Sequence, residues 1–263
     1  MSTECLTGES RYSTDPGAGS WIGRRMPTAV FYAKGADIVY RASVLARRGT
    51  YDNRQWVASS LATVRALESV GGRFEIEGLD AVRRLSAPCV FIGNHMSVLE
   101  TFVLPCLIVP HRDVTFVIKE SLTVYPWFGH VMRSRDPVVV GRENAREDLR
   151  VVMEEGQKRL AAGVSIVIFP QTTRSEEFDP KRFNSLGVKL ARKAGAPVVP
   201  FALKTDAWGL GRRIKDFGPI RPDRTVHIRF GEPMNVKGAG KAEHESIVDF
   251  IRSHLVSWGT PIA

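Results

Sequence analysis

The sequence predicts an α/β fold: a single domain with a mostly parallel central sheet of about seven strands flanked by helices, preceded by an N-terminal two-helix extension. Three observations predict it. From Arg73 onward, short apolar runs alternate with helical patterns, the signature of buried parallel strands and their covering helices. A chain of 263 residues, 43% of them hydrophobic, can bury a full core as one domain. No stretch approaches the ~20 apolar residues of a membrane span, and the longest near-apolar run, Thr101 to Pro110, is broken by Pro105.

Residues 1–23 are rich in Ser, Thr and Gly and are expected to form a disordered tail. Glu4, Glu9 and Asp15 stand where a signal peptide would carry an apolar core. Residues 24–72 form the helical extension. Phe31 to Arg48 reads as an amphipathic helix with Phe31, Ile38, Ala42 and Leu45 on one side. A second runs from Arg54 to Val70, capped by Asp52 or Asn53 and stopped by Gly71-Gly72. Two uses of these helices stay open: packing on their own domain, or docking on a membrane through aromatic residues interleaved with arginines.

In the remaining domain, 73–263, strands are expected near Phe74, Val90, Val114, Val138, Ile166, Val198 and Ile228. Pro88 to Ile92 is a short apolar run, Gly93 permits a sharp exit, and Ser97 is suited to cap the next helix. Ala145 to Ala161 reads as a helix whose Asn144 and Glu147 resemble a capping box. Val164 to Phe169 is another buried run, broken at Pro170. Glu243 to Trp258 reads as a closing helix.

A formal net charge of +9 implies an anionic partner. The densest basic stretch lies between Lys204 and Arg229, as a solvated loop or a phosphate-facing patch. The basic residues do not form the arginine-rich or aromatic-interleaved runs of nucleic-acid modules, so no nucleic-acid partner is expected. Cys5, Cys89 and Cys106 have no CxxC spacing, and no HExxH is present, which suggests neither a disulfide framework nor a zinc site. A reducing cytoplasm fits. The absence of a P-loop and of G-x-G-x-x-G argues against nucleotide hydrolysis and dinucleotide redox chemistry.

His95 and Glu100, within Asn94-His95-Met96-Ser97-Val98-Leu99-Glu100, carry the first chemical signal. On one helix they would lie about 140° apart and could not share a face. They meet if His95 sits at a strand mouth and Glu100 in the first turn of the following helix. A neutral imidazole there can take a proton from an alcohol attacking a carbonyl, while the carboxylate holds its tautomer and stabilises the imidazolium. The second signal is Gln171-Thr172-Thr173-Arg174-Ser175, a polar turn with an arginine directly after a core strand, a good place to bind an anion.

These blocks, Asn-His with an acid five residues on and Phe-Pro-x-x-Thr-Arg-Ser about 75 residues later, resemble the glycerolipid acyltransferases typified by 1-acylglycerol-3-phosphate acyltransferase. Gly129 to Arg142, ending Val138-Val139-Val140-Gly141-Arg142, is similar to the family's second motif, Val198-Val199-Pro200 to its fourth, and Phe230 to Pro233 to a late turn. The resemblance runs from Arg73 to the C-terminus and makes 73–263 an acyltransferase domain. Three residues depart from the pattern: Glu100 replaces the usual aspartate, Gln171 a glutamate and Thr172 a glycine.

The resemblance implies acyl transfer, from a fatty acyl thioester on coenzyme A or acyl carrier protein to a lysophospholipid hydroxyl, with no metal or cofactor. His95 is expected to act as general base and Glu100 to orient it. Arg142 and Arg174 are expected to hold the acceptor's phosphate or the donor's anionic groups. Asn94, Gln171, Thr173 and Ser175 complete the expected substrate-binding set. The protein is expected in the cytoplasm, associated peripherally with the inner face of the cell membrane. Gln171 and Thr172 motivate an alternative acceptor, a lyso-aminolipid or glycolipid. A non-catalytic anionic-lipid-binding protein is the reading from another class.

Overall fold

The computed structural model describes residues 6, 10–15, 17–171 and 173–263. Thr172 and residues 1–5, 7–9 and 16 of the expected tail lie outside the described residues. In chain order the strands are β1 (Arg11–Ser13), β2 (Arg73–Glu77), β3 (Val90–Gly93), β4 (Val114–Lys119), β5 (Val138–Val140), β6 (Ser165–Ile168), β7 (Val198–Lys204) and β8 (Thr225–Phe230). The helices are α1 (Trp21–Arg25), α2 (Pro27–Arg47), α3 (Asn53–Ser69), α4 (Leu79–Arg83), α5 (Leu99–Ile108), α6 (Phe128–Ser134), α7 (Ala145–Ala161), α8 (Leu186–Ala194) and α9 (Lys241–Ser257).

The strands form one sheet in the order β1-β2-β8-β7-β3-β6-β4-β5. All neighbours pair in parallel except β1 with β2 and β7 with β8. Side chains alternate across it, as the two-residue period of a strand requires. Phe91 of β3, Val167 of β6 and Val199, Phe201 and Leu203 of β7 join a core with α2, α3 and α5. Val90 and Ile92, Ile166 and Ile168, and Val198 and Ala202 join the opposite core with α7, α8 and α9. Both faces are covered, which is why these strands read as continuous apolar runs.

The tail expected over 1–23 is corrected at its described end. Arg11–Ser13 pairs antiparallel with β2, and the hydroxyls of Tyr12 and Thr14 both donate to the buried Glu68 carboxylate of α3, at 2.5 and 2.7 Å. These long-range hydrogen bonds order a segment whose composition carries no strand signal. They also add an eighth strand to the seven expected.

Of the two uses open to the N-terminal helices, packing is the one observed. The Phe31 ring of α2 is buried edge-on against Trp208, centroids 4.9 Å apart. Burial of a ring of that size contributes about 1.5–3 kcal/mol. The Tyr32 hydroxyl donates to Gly218 O at 2.7 Å. Asp52 caps α3 by accepting from Gln55 N, and Asn144 caps α7 by accepting from Arg146 N and Glu147 N. The cap of α5 falls one residue later than expected, at Val98. Ser97 still helps there by accepting from Leu99 N.

The requirement for glycine at position 93 is a close approach and not a turn. A Cβ there would stand 2.2 Å from the Phe201 ring, which is itself walled in by Phe169 and Phe230. Gly93→Ala is therefore expected to destabilise the domain by about 1–3 kcal/mol through overpacking and to displace the strand end that carries His95. Urea unfolding of the variant checks this, and an unchanged midpoint would contradict it.

Candidate active site

β3 ends at Gly93, and the chain turns through Asn94 and His95 into α5 at the C-terminal edge of the sheet, where ligand crevices form in open α/β folds. The turn and the first helical turn bring His95 and Glu100 together. His95 Nδ1 lies 3.9 Å from Glu100 Oε1, with the histidine side chain 14% exposed and the carboxylate fully buried. That Nδ1 atom is buried and has no hydrogen-bond partner at this separation. The imidazole stacks on Phe169, centroids 4.3 Å apart and planes 15° apart, so its orientation is fixed from a second side.

A buried carboxylate is expensive unless it is well hydrogen-bonded. Glu100 Oε1 accepts from Met96 N at 2.6 Å, Ser97 N at 2.8 Å and the Thr205 hydroxyl at 2.9 Å. Ser97 N also reaches Oε2 at 3.1 Å, and the Ser97 hydroxyl donates to Thr205 Oγ1 at 3.0 Å. Burial works to raise this carboxyl, yet the His95 imidazole and the Ser97 amide outweigh it and hold the group below its ordinary value. It therefore stays ionised beside His95.

Two amides expected to meet substrate are taken up elsewhere. Asn94 is buried, donates through Nδ2 to Leu203 O at 2.7 Å and accepts from Leu203 N at 2.8 Å. It acts as an extra rung between the β3 exit and β7 and does not face the cleft. Gln171 is buried and accepts the His95 backbone N–H at 2.6 Å. The turn after β6 binds the histidine segment a second time, Ser175 N donating to His95 O at 3.1 Å. The Ser175 hydroxyl is engaged locally, accepting from Glu177 N. Thr173 is exposed and its hydroxyl accepts from Lys215 Nζ at 2.9 Å.

The two arginines converge on this edge. Arg174 pairs with Asp216, both largely shielded from solvent. Arg142 follows β5 with its backbone in the left-handed region, φ 64°, a conformation that costs a non-glycine residue about 1–2 kcal/mol. Asp148 Oδ1 steadies it by accepting from Gly141 N and Arg142 N at 3.0 and 3.2 Å. Burial lowers the Arg142 guanidinium's affinity for its proton; Asp148 opposes that shift and the nearby Arg174 charge adds to it. The Arg174 charge is thus near enough to Arg142 to act on its guanidinium.

Three participants carry no motif of their own in the sequence: Thr205, Lys215 and Asp216. Thr205 could have been found only as the residue flanking a buried-strand run, whereas Phe169 opens the Phe-Pro-x-x-Thr-Arg-Ser block without any sign that its ring would stack on His95. Lys215 and Asp216 sit inside the basic stretch after β7, where their charges gave no hint of partners. The remaining described histidines do not join the site, and no group of His, Cys, Asp or Glu among the described residues could hold a metal ion.

Comparison with known proteins places the chain in a family. A family model described as Acyltransferase matches residues 73–204. A 1-acyl-sn-glycerol-3-phosphate acyltransferase of Pseudomonas aeruginosa is 27% identical over 187 residues, 71% of this chain and 68% of that protein. A lyso-ornithine lipid O-acyltransferase of Rhizobium meliloti is 32% identical over 123 residues, 47% of this chain and 39% of that protein. The crystal structure of a 1-acyl-sn-glycerophosphate (LPA) acyltransferase from Thermotoga maritima superposes with a TM-score of 0.65 at 19% identity, covering 90% of this chain and 96% of that one, a likeness of fold. The matched family segment spans half of the chain and holds His95, Glu100, Arg142 and Arg174 alike; the chain belongs to the acyltransferase family of enzymes.

Proposed function

We propose that this enzyme moves a fatty acyl group from an acyl thioester, on coenzyme A or acyl carrier protein, to the hydroxyl of a lysophospholipid such as 1-acylglycerol-3-phosphate. The observation that carries the reading is the juxtaposition of His95 with a fully buried carboxylate at 3.9 Å, on a turn hydrogen-bonded to the segment that bears Arg174. With Nδ1 turned to Glu100, Nε2 is the nitrogen left for the acceptor. It takes the hydroxyl proton as the oxygen attacks the thioester carbonyl. The carbon–sulfur bond breaks, and the imidazolium returns the proton to the leaving thiolate. Positive charge growing on the ring strengthens its attraction to Glu100 during this step.

Arg142 and Arg174 supply charge-assisted hydrogen bonds to the acceptor's phosphate or to the donor's anionic groups. Asn94 and Gln171 hold the walls, and Thr173 and Ser175 shape the rim. A thioester is already activated, so a base and positioning suffice. The enzyme works at the inner face of the cell membrane from the cytoplasmic side. No helix among the described residues is long and apolar enough to cross a bilayer. Exposed Trp21, Met26 and Tyr40 on the N-terminal helices suit a peripheral contact. A second reading, acylation of a lyso-aminolipid, draws on the likeness to the Rhizobium protein. Incubation of the purified protein with labelled acyl-CoA and a panel of lysolipids, with the product identified by mass, decides between them. Diacylglycerol phosphate as the main product supports the first reading, and an acylated aminolipid the second.

His95→Ala is expected to lower transfer by about 10²–10⁴-fold while the chain stays folded, and retention of more than a few per cent of activity contradicts the base assignment. Glu100→Gln is expected to cost less activity but more stability. Because the folded carboxyl lies below its ordinary value, its contribution is full above the ordinary carboxylate range and is lost as pH falls through that range towards the lowered value. The variant should thus be weaker at neutral pH by about 1–3 kcal/mol and converge on the parent in acid. Urea unfolding across pH measures this; parallel curves at every pH would rule it out.

A further inference from the structure

The excursion between β7 and β8 is strapped to the turn after β6. Lys215 reaches Thr173, Arg221 and Arg224 reach Glu176, and Asp216 holds Arg174. The first three ties only fasten the loop. The fourth occupies the guanidinium that the reading above assigns to the acceptor's headgroup. The Arg174 side chain is 18% exposed and that of Asp216 21%, so the pair is partly open to solvent, within reach of a solute, and not in the core.

Charges around it are uneven. Arg142 adds its charge to that of Arg174, with Asp148 balancing part of it, and Lys215 adjoins Asp216 in the chain. Burial first, and then the Asp216 carboxylate, push the Tyr125 phenol up, and the Tyr32 phenol feels the same carboxylate. Asp216 is thus the one carboxylate paired with Arg174 among the described residues.

We propose that Asp216 is a specificity-determining residue: it occupies Arg174 as an internal anion, which a dianionic phosphate monoester displaces and a singly charged or zwitterionic headgroup does not. The inference rests on the reading that Arg174 meets the acceptor's headgroup. A tethered carboxylate competes at high effective concentration, so a free carboxylate or a phosphodiester of the same charge loses to it. A phosphate monoester brings a charge of roughly −1.5 to −2 and three acceptor oxygens. It can satisfy both arginines at once, which one carboxylate does not.

The test is the KM for 1-acylglycerol-3-phosphate in the parent, Asp216→Asn, Asp216→Glu and Arg174→Gln, measured with acyl-CoA on either side of the phosphate's second ionisation near ~6. In the parent, KM rises as pH falls and the headgroup becomes a monoanion. In Asp216→Asn, KM is expected to fall by about fivefold on the acid side, the scale of one partly exposed ion pair. The pH dependence should flatten, while Asp216→Glu keeps the parent profile. Effects of pH on the parts of the protein common to all four cancel in the comparison. Asn fills the same space as Asp, and the ties through Lys215 and Glu176 still hold the loop; thermal melting verifies that it folds.

If Asp216→Asn parallels the parent at every pH while Arg174→Gln raises KM, the inference falls and the headgroup assignment stands. If Arg174→Gln leaves KM unchanged, the headgroup assignment itself fails and the inference fails with it. A structural role for Asp216 would change melting without flattening the pH profile of KM, and that result also overturns the proposal.

Discussion

A carboxylate with no exposed surface is the constraint around which this site is organised. Glu100 is left ionised in the core, where an unpaired charge would cost several kcal/mol. The offset comes from two backbone N–H groups of its own turn and the Thr205 hydroxyl from the neighbouring strand. Those bonds dictate the path from β3 into α5. They make the chain fold back so that residue 100 reaches residues 96 and 97, and this places His95 over the carboxylate. A shift in the turn would leave the charge unsatisfied, so the geometry of the imidazole is held by the same energy that keeps the domain folded.

Rigidity then spreads outward through polar side chains used as backbone. Asn94 mimics a strand residue towards Leu203, and Gln171 bonds the amide of His95. The histidine turn, the arginine turn and β7 are consequently tied into one hydrogen-bonded unit. The excursion after β7 is fastened to that unit through partly exposed ion pairs, each contributing little alone. The His95 turn is thereby held by buried hydrogen bonds, while the excursion after β7 is held mainly by side chains nearer the surface.

Much of the fold was legible in the residues. The seven runs near Phe74, Val90, Val114, Val138, Ile166, Val198 and Ile228 all became strands, those of β3, β6 and β7 because a strand buried on both faces must be apolar along its length, and those of β2 and β8 through apolar residues at every second position. β1 was not legible: three residues with mixed polarity gain their order from Tyr12 and Thr14 meeting Glu68, 56 and 54 residues further along the chain though adjacent in space. The strand order could not be read, since pairing is set by contacts between distant segments. His95 and Glu100 were legible because their spacing excludes a shared helix face and demands a strand–helix junction. Asn94 and Gln171 misled, because an amide serves a backbone as readily as a substrate and composition does not distinguish the two. Asp216 was invisible inside a stretch read only for its excess of positive charge.

The central claim is that Glu100 holds His95 in the tautomer whose outward nitrogen is bare. Heteronuclear NMR of the His95 ring nitrogens in the neutral imidazole measures this directly. The account predicts a proton on Nδ1, facing Glu100, and an unprotonated Nε2; a proton on Nε2 with Nδ1 bare would contradict it.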